Sequence, residues 1–129
     1  IRKDRCRHPL REGAKAGKLV LVSNCGFWEM ENFDPLLVHM KALCENASRD
    51  FAGALLRPHG EALKEMAEHG ASSVGAVFEA SRKAGREIVE KGTIEAETLR
   101  IVSQELLPRE AYVQAANVAF RESLDALGE

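Results

Sequence analysis

The sequence predicts an α/β chain, with one βαβ unit of two parallel strands followed by a series of helices. Three observations predict it. Lys18 to Asn24 is a branched apolar run ending abruptly in small polar residues, the pattern of a strand buried on both faces of a parallel sheet. Phe51 to Arg57 is a second such run, stopped by Pro58 and Gly60. Between them Leu36, Leu37, Met40, Leu43 and Cys44 recur at helical spacing. A strand, a helix and a strand in that order require parallel pairing through a right-handed crossover.

Residues 1–17 show no period, and Pro9, Gly13 and Gly17 interrupt any regular element, so this part reads as an irregular arm. The connector after the first strand is longer than the usual ~2–6 residues of a strand-to-helix loop. Asp34-Pro35 opens the helix, with Asp34 as cap and Pro35 where a missing N–H costs nothing. The βαβ unit spans 18–58. A helical part over 59–129 follows, and the whole reads as a single domain or a domain fragment. Its first helix, Glu61 to Glu68, ends at His69-Gly70. Ser72 or Ser73 caps a longer one carrying Val74, Val77, Phe78, Ala84 and Ile88, closed by Gly92. Thr93 caps the next, with Ile94, Thr98, Ile101, Val102 and Leu106 on one side up to Pro108. The last runs from about Arg109 to Leu127 and is expected to bury Tyr112 or Val113, Ala116, Phe120 and Leu124.

Two strands are few, since sheets commonly have ~4–6. The expectation is that an upstream segment or another chain completes the sheet, or that helices and loops cover its edges. The chain begins at Ile1 rather than Met, which fits a processed, trimmed or incomplete chain.

At 129 residues, 45% hydrophobic and 29% charged, the composition is that of a globular domain. A net charge of −2 argues against a sequence-independent nucleic-acid binder. The basic residues near the start (Arg2, Lys3, Arg5, Arg7, Arg11, Lys15) read as a solvated arm. No apolar segment approaches the ~18–20 residues of a membrane span, and nothing resembles a signal peptide. Cys6, Cys25 and Cys44 are odd in number and widely spaced, which suits neither a disulfide framework nor a metal site. The expected setting is cytoplasmic.

Ligands of open α/β folds sit beyond the carboxyl ends of the strands, which directs attention to Asn24–Glu29. A planar heteroaromatic ligand needs apolar surface on its face and backbone hydrogen bonds at its edge. Phe27 or Trp28 supplies the first and the Cys25-Gly26-Phe27 amides the second; the plainer reading of both rings is as core or interface anchors. Cys25 is the thiol best placed for chemistry, but no histidine pairs with it in a recognisable pattern, so it reads as a packing or cofactor-proximal residue. His59, at the carboxyl end of the second strand, is the histidine to test; His39 and His69 read as structural. Glu29, Glu31 and Asp34 are accounted for by capping and solvation. There is no GxGxxG, GxxxxGK[ST], HExxH or GxSxG motif.

The run Gly17-Lys18-Leu19-Val20-Leu21-Val22-Ser23-Asn24-Cys25-Gly26-Phe27-Trp28-Glu29, then Asn32-Phe33-Asp34-Pro35, then Phe51-Ala52-Gly53-Ala54-Leu55-Leu56-Arg57-Pro58, resembles the C-terminal half of the flavodoxin-like NAD(P)H-dependent FMN reductases and iron–sulfur flavoproteins. The stretch Ala84 to Ile94 with Thr98-Leu99 is also similar to tails of that group. The resemblance implies a partial flavodoxin-like three-layer sandwich with FMN at the strands' carboxyl edge. It implies that Asn24, Cys25 and Gly26 line the ring edge through backbone groups while Phe27 or Trp28 borders its face. The flavin would carry electrons from NADH or NADPH to an acceptor, with no catalytic side chain and no metal from this chain. The family's phosphate-holding loop follows its first strand and has no counterpart here, nor has the compact cysteine motif of the iron–sulfur members. The partners implied are the nicotinamide nucleotide, the acceptor, and either a second copy or an N-terminal segment.

The rival expectation is a non-catalytic, helix-rich interaction or oligomerisation module that binds no flavin alone, with Trp28 as an interface anchor. A third, a thiol enzyme using Cys25, predicts rapid alkylation of that residue.

Overall fold

A computed structural model describes residues 8–128. Strand β1 (Lys18–Asn24) leads through a 3₁₀ turn (Met30–Phe33) into α1 (Asp34–Asn46), and β2 (Asp50–Arg57) returns beside β1. Then follow α2 (Gly60–Glu68), α3 (Ser72–Glu90), α4 (Ala96–Val102) and α5 (Arg109–Leu127). The class is α/β, as expected, with a parallel pair joined by a helical crossover.

Register carries Lys18 opposite Asp50 and Asn24 opposite Arg57, with a slip between Leu19 and Val20. Leu19 faces Phe51 while Val20 faces Gly53, so Ala52 is the extra residue of a bulge. Gly53 takes φ +148° there, and a Cβ would stand 3.3 Å from Ile94 Cδ1. Only glycine satisfies both conditions without strain.

The two faces of the pair are covered differently. Val20 and Leu55 join Ala80, Ala84, Val102, Ile94, Leu99 and Ile101 in the main core, so α3 and α4 form one layer. Ala54 and Leu56, which alternate with Leu55, share their surroundings with Leu37 and Lys41 of α1, which places α1 on the opposite face. Both outer helix layers lie over β2 more than β1. As a result Val22 is 74% exposed, and the expectation of a strand buried on both faces is corrected for β1: its outer edge is uncovered among the described residues.

Other expectations are corrected in detail. Asp34, Ser72, Ser73 and Thr93 are not caps. α1 continues directly from the 3₁₀ turn with Phe33 before it, α3 starts after Ala71, and α4 starts after Glu95. None of these ends has a cap bond from its own preceding side chain. For α4, a carboxylate from the neighbouring helix is present instead: Glu87, almost fully buried, accepts the Glu95 backbone N–H at 3.1 Å and the Thr98 hydroxyl at 3.1 Å. Lys83, 3.2 Å away, balances its charge. α4 also stops at Val102, short of the expected Leu106. α5 buries none of its residues, and Phe120, expected inside, is 70% exposed. Of the expected stripe, Tyr112 and Ala116 are half-buried beside the turn after β2 and α2, while no element among the described residues lies over Val113, Phe120 and Leu124. Arg2, Lys3, Arg5, Cys6 and Arg7 of the arm lie outside the described residues.

Candidate functional site

The carboxyl ends of β1 and β2 meet α2 and the start of α5 around one cluster. Its centre is His59, fully buried and in the left-handed backbone region at φ 41° and ψ 48°. Trp28 stacks on its ring with centroids 6.1 Å apart and planes at 17°; Tyr112 packs from another direction at 5.7 Å and 59°. The Trp28 indole N–H donates to Leu107 O at 3.4 Å.

The protonation of His59 follows from its partners. Nε2 receives the Leu106 backbone N–H at 3.2 Å and the Arg57 guanidinium at 3.1 Å, so it is an acceptor and the ring proton sits on Nδ1. Nδ1 is buried with no partner among the described residues. Burial first, and the adjacent Arg57 charge second, push the imidazole pKa down from 6.5 to about 4. His59 is therefore neutral at physiological pH.

Arg57, only 6% exposed, ends β2. Its Nε donates to Pro58 O (2.9 Å), Nη1 to Val102 O (2.8 Å) and Nη2 to Gln104 O (2.6 Å) as well as to His59. The Val102 and Gln104 carbonyls lie at and beyond the end of α4, where the helix dipole is negative. Burial lowers the guanidinium pKa, an effect the nearby Cys25 partly offsets.

The Asn24–Trp28 loop is held by its carbonyls. Cys25 O accepts Gly60 N–H at 2.9 Å, Gly26 O accepts the Tyr112 hydroxyl at 2.6 Å, and Phe27 O accepts His59 N–H at 2.7 Å. Cys25 N–H donates to Arg57 O at 3.1 Å, closing the strand pair. A Cβ at Gly60 would stand 3.2 Å from Asn24 Cβ, closer than ordinary van der Waals contact, so the turn and the strand end pack tightly there. With its carbonyls engaged, the loop keeps the N–H groups of Gly26 and Phe27 without acceptors among the described residues. Phe27 is 63% exposed. At its far end, Glu29 pairs with Arg109 at 3.0 Å; bonds from its own backbone N–H and from Arg109 hold its carboxyl below the ordinary range.

Beside this loop lies a cleft of about 660 Å³. Its walls are largely apolar (Val22, Leu63, Val77, Phe78), with Ser23, Asn24, Ser81 and Arg57 as polar groups. Of the five residues expected to bind a cofactor, only Asn24 is among those lining the cleft; Cys25, Gly26 and Phe27 continue the loop from it, and Trp28 turns inward onto His59. His59, expected at the ligand-facing edge, is also turned inward and acts as the support behind the loop. Arg57 was not singled out from sequence, and Tyr112 was expected only as a core residue of the last helix. The signal for Arg57 was a cation closing an apolar strand; for Tyr112 there was none, because its bond to Gly26 spans the chain.

Among the described residues no group of three His, Cys, Asp or Glu is arranged to hold a metal ion. Nor is any helix there long and apolar enough to cross a membrane. No family model matches the chain, and neither a curated protein nor a solved structure matches it.

Proposed function

We propose that this chain supplies the ring-binding rim of a flavodoxin-like, FMN-dependent NAD(P)H oxidoreductase. The observation that carries this reading is the Asn24–Phe27 loop. Its carbonyls are tied to Gly60, Tyr112 and His59, and the amide donors of Gly26 and Phe27, just past the cleft-lining Asn24, have no acceptor among the described residues. The residues suit the ring of a flavin: donors for its polar edge, an exposed Phe27 for its face, and apolar walls for its xylene end. They do not suit its phosphate, since no glycine-rich loop lies among them. When bound, a flavin supplies the hydride and electron chemistry. The chain's part is to orient the ring through Gly26 and Phe27 and to keep the rim rigid through His59. NADH or NADPH as donor, and a separate acceptor, belong to the same reading.

Titration of the purified chain with riboflavin and with FMN tests it, read by flavin fluorescence. Both are expected to be quenched with similar affinity, because the rim recognises the ring alone. Unchanged fluorescence with both would contradict the reading.

One observation favours the non-catalytic alternative, an interaction or oligomerisation module. Val113, Phe120, Leu124 and Leu127 form an exposed apolar stripe along α5, and β1 has an edge that is uncovered among the described residues. Sedimentation of the chain as a stable dimer that leaves riboflavin fluorescence unchanged would favour that alternative.

A further inference from the structure

The cleft contains a feature that ring recognition does not use. Among its lining residues Arg57 is the only charged one, and no carboxylate shares the walls with it. A buried cation is ordinarily paired with a carboxylate. Here the guanidinium is met by three carbonyls and a neutral imidazole nitrogen. A guanidinium has five N–H groups, and the four bonds leave one on Nη1 without an acceptor among the described residues. Two further features lie at the same place. Asn24, directly across the strand pair from Arg57, has an exposed side-chain amide with no partner among the described residues. Gly60, the first residue of α2, forms part of the wall, which brings the positive end of that helix dipole to the cleft.

The geometry points to an anion subsite in this cleft, taking an amphiphilic carboxylate whose apolar or aromatic body lies against Val22, Leu63 and Phe78. The carboxylate would receive the remaining Nη1 hydrogen of Arg57 and the Asn24 amide. The apolar walls select the class: a fully polar oxyanion such as phosphate would lose hydration against Val22, Leu63 and Phe78 and gain only two donors. The subsite goes beyond the flavin reading and does not depend on it. A chain that ignored riboflavin but bound the carboxylate would contradict only the first.

The probe is phenylacetate, titrated into the whole chain by isothermal calorimetry, with phenylacetamide and inorganic phosphate as controls. Phenylacetate is expected to bind with a dissociation constant of roughly a millimolar, as befits a small ligand. Phenylacetamide and phosphate are expected to bind at least about tenfold more weakly. Asn24→Asp, an exposed substitution that places a negative charge beside Arg57, is expected to weaken phenylacetate by about tenfold or more while circular dichroism stays unchanged. Arg57→Lys keeps the charge and loses the fork, so it is expected to weaken binding too. No binding of phenylacetate, equal binding of the neutral amide, binding of phosphate as tight as phenylacetate, or an undiminished affinity in Asn24→Asp would each overturn the proposal.

Discussion

Trp28 lies flat against His59, with ring centroids 6.1 Å apart and planes diverging by only 17°. The contact joins the loop after β1 to the turn after β2. Tyr112 adds a tilted contact to the same imidazole, and its hydroxyl donates to Gly26 O. The loop therefore has one aromatic turned in as an anchor and one, Phe27, turned out.

Removing the anchor should loosen the rim. Trp28→Ala is expected to cost about 2–4 kcal/mol of stability, from lost stacking and the space left over His59. Trp28→Phe keeps the ring contact and loses only the bond to Leu107 O, so about 1 kcal/mol is expected. Urea denaturation followed by circular dichroism checks both; equal losses would contradict the stacking account.

The buried imidazole gives stability a defined pH dependence. Its folded pKa of about 4 lies below its ordinary 6.5, so between those values the unfolded chain binds the proton and the folded chain does not. Stability is then complete above about pH 6.5 and falls as pH drops toward 4. The loss by pH 4.5 is expected to be on the order of 2–3 kcal/mol. Urea midpoints at pH 7.5 and 4.5 measure it. In His59→Gln this part of the slope should vanish, and a slope unchanged in that variant would contradict the assignment.

The Glu87 carboxylate is expected to be a point of high sensitivity on the far side of the core. Glu87→Ala leaves the buried Thr98 hydroxyl and the part-buried Glu95 N–H without their acceptor, at an expected cost of about 2–4 kcal/mol. Thr98→Val should cost about 1 kcal/mol, since it removes only one of those bonds. Thermal unfolding distinguishes them; a neutral Glu87→Ala would show that this carboxylate does not hold the start of α4.

Much of the fold was legible because it is encoded locally. The two apolar runs are β1 and β2, and the stops at Pro58, Gly70 and Gly92 fall where elements end. Less legible were features formed by residues distant in sequence. The start of α4 is tied to Glu87 rather than to Thr93, and Gly26 is tied to Tyr112. His59 was recognised as standing at the correct edge, but its inward turn depends on a left-handed backbone and on Trp28. The exposure of Phe120 was not predictable from helical spacing, which marks an apolar face without saying what covers it. The sequence drew attention to the Asn24–Phe27 loop as a place, and not to the buried Arg57 whose backbone pairs with it.

The bulge offers a test of backbone rather than side chain. Gly53→Ala adds a Cβ 3.3 Å from Ile94 and places a non-glycine residue at φ +148°, so a loss of about 2–3 kcal/mol is expected. Ile94→Ala in the same background should recover little of it, because the backbone conformation remains. Full recovery would show that only the side-chain contact mattered.

The claim on which the functional reading rests is that the Gly26 and Phe27 amides meet the edge of a flavin ring. Amide chemical shifts of the nitrogen-15-labelled chain, recorded while riboflavin is added, test it most directly. The account predicts that Gly26 and Phe27 move most, with smaller shifts at Asn24 and Cys25 and none along α5 beyond Tyr112. Riboflavin leaving the Gly26 and Phe27 signals in place, or moving only residues elsewhere, would contradict it.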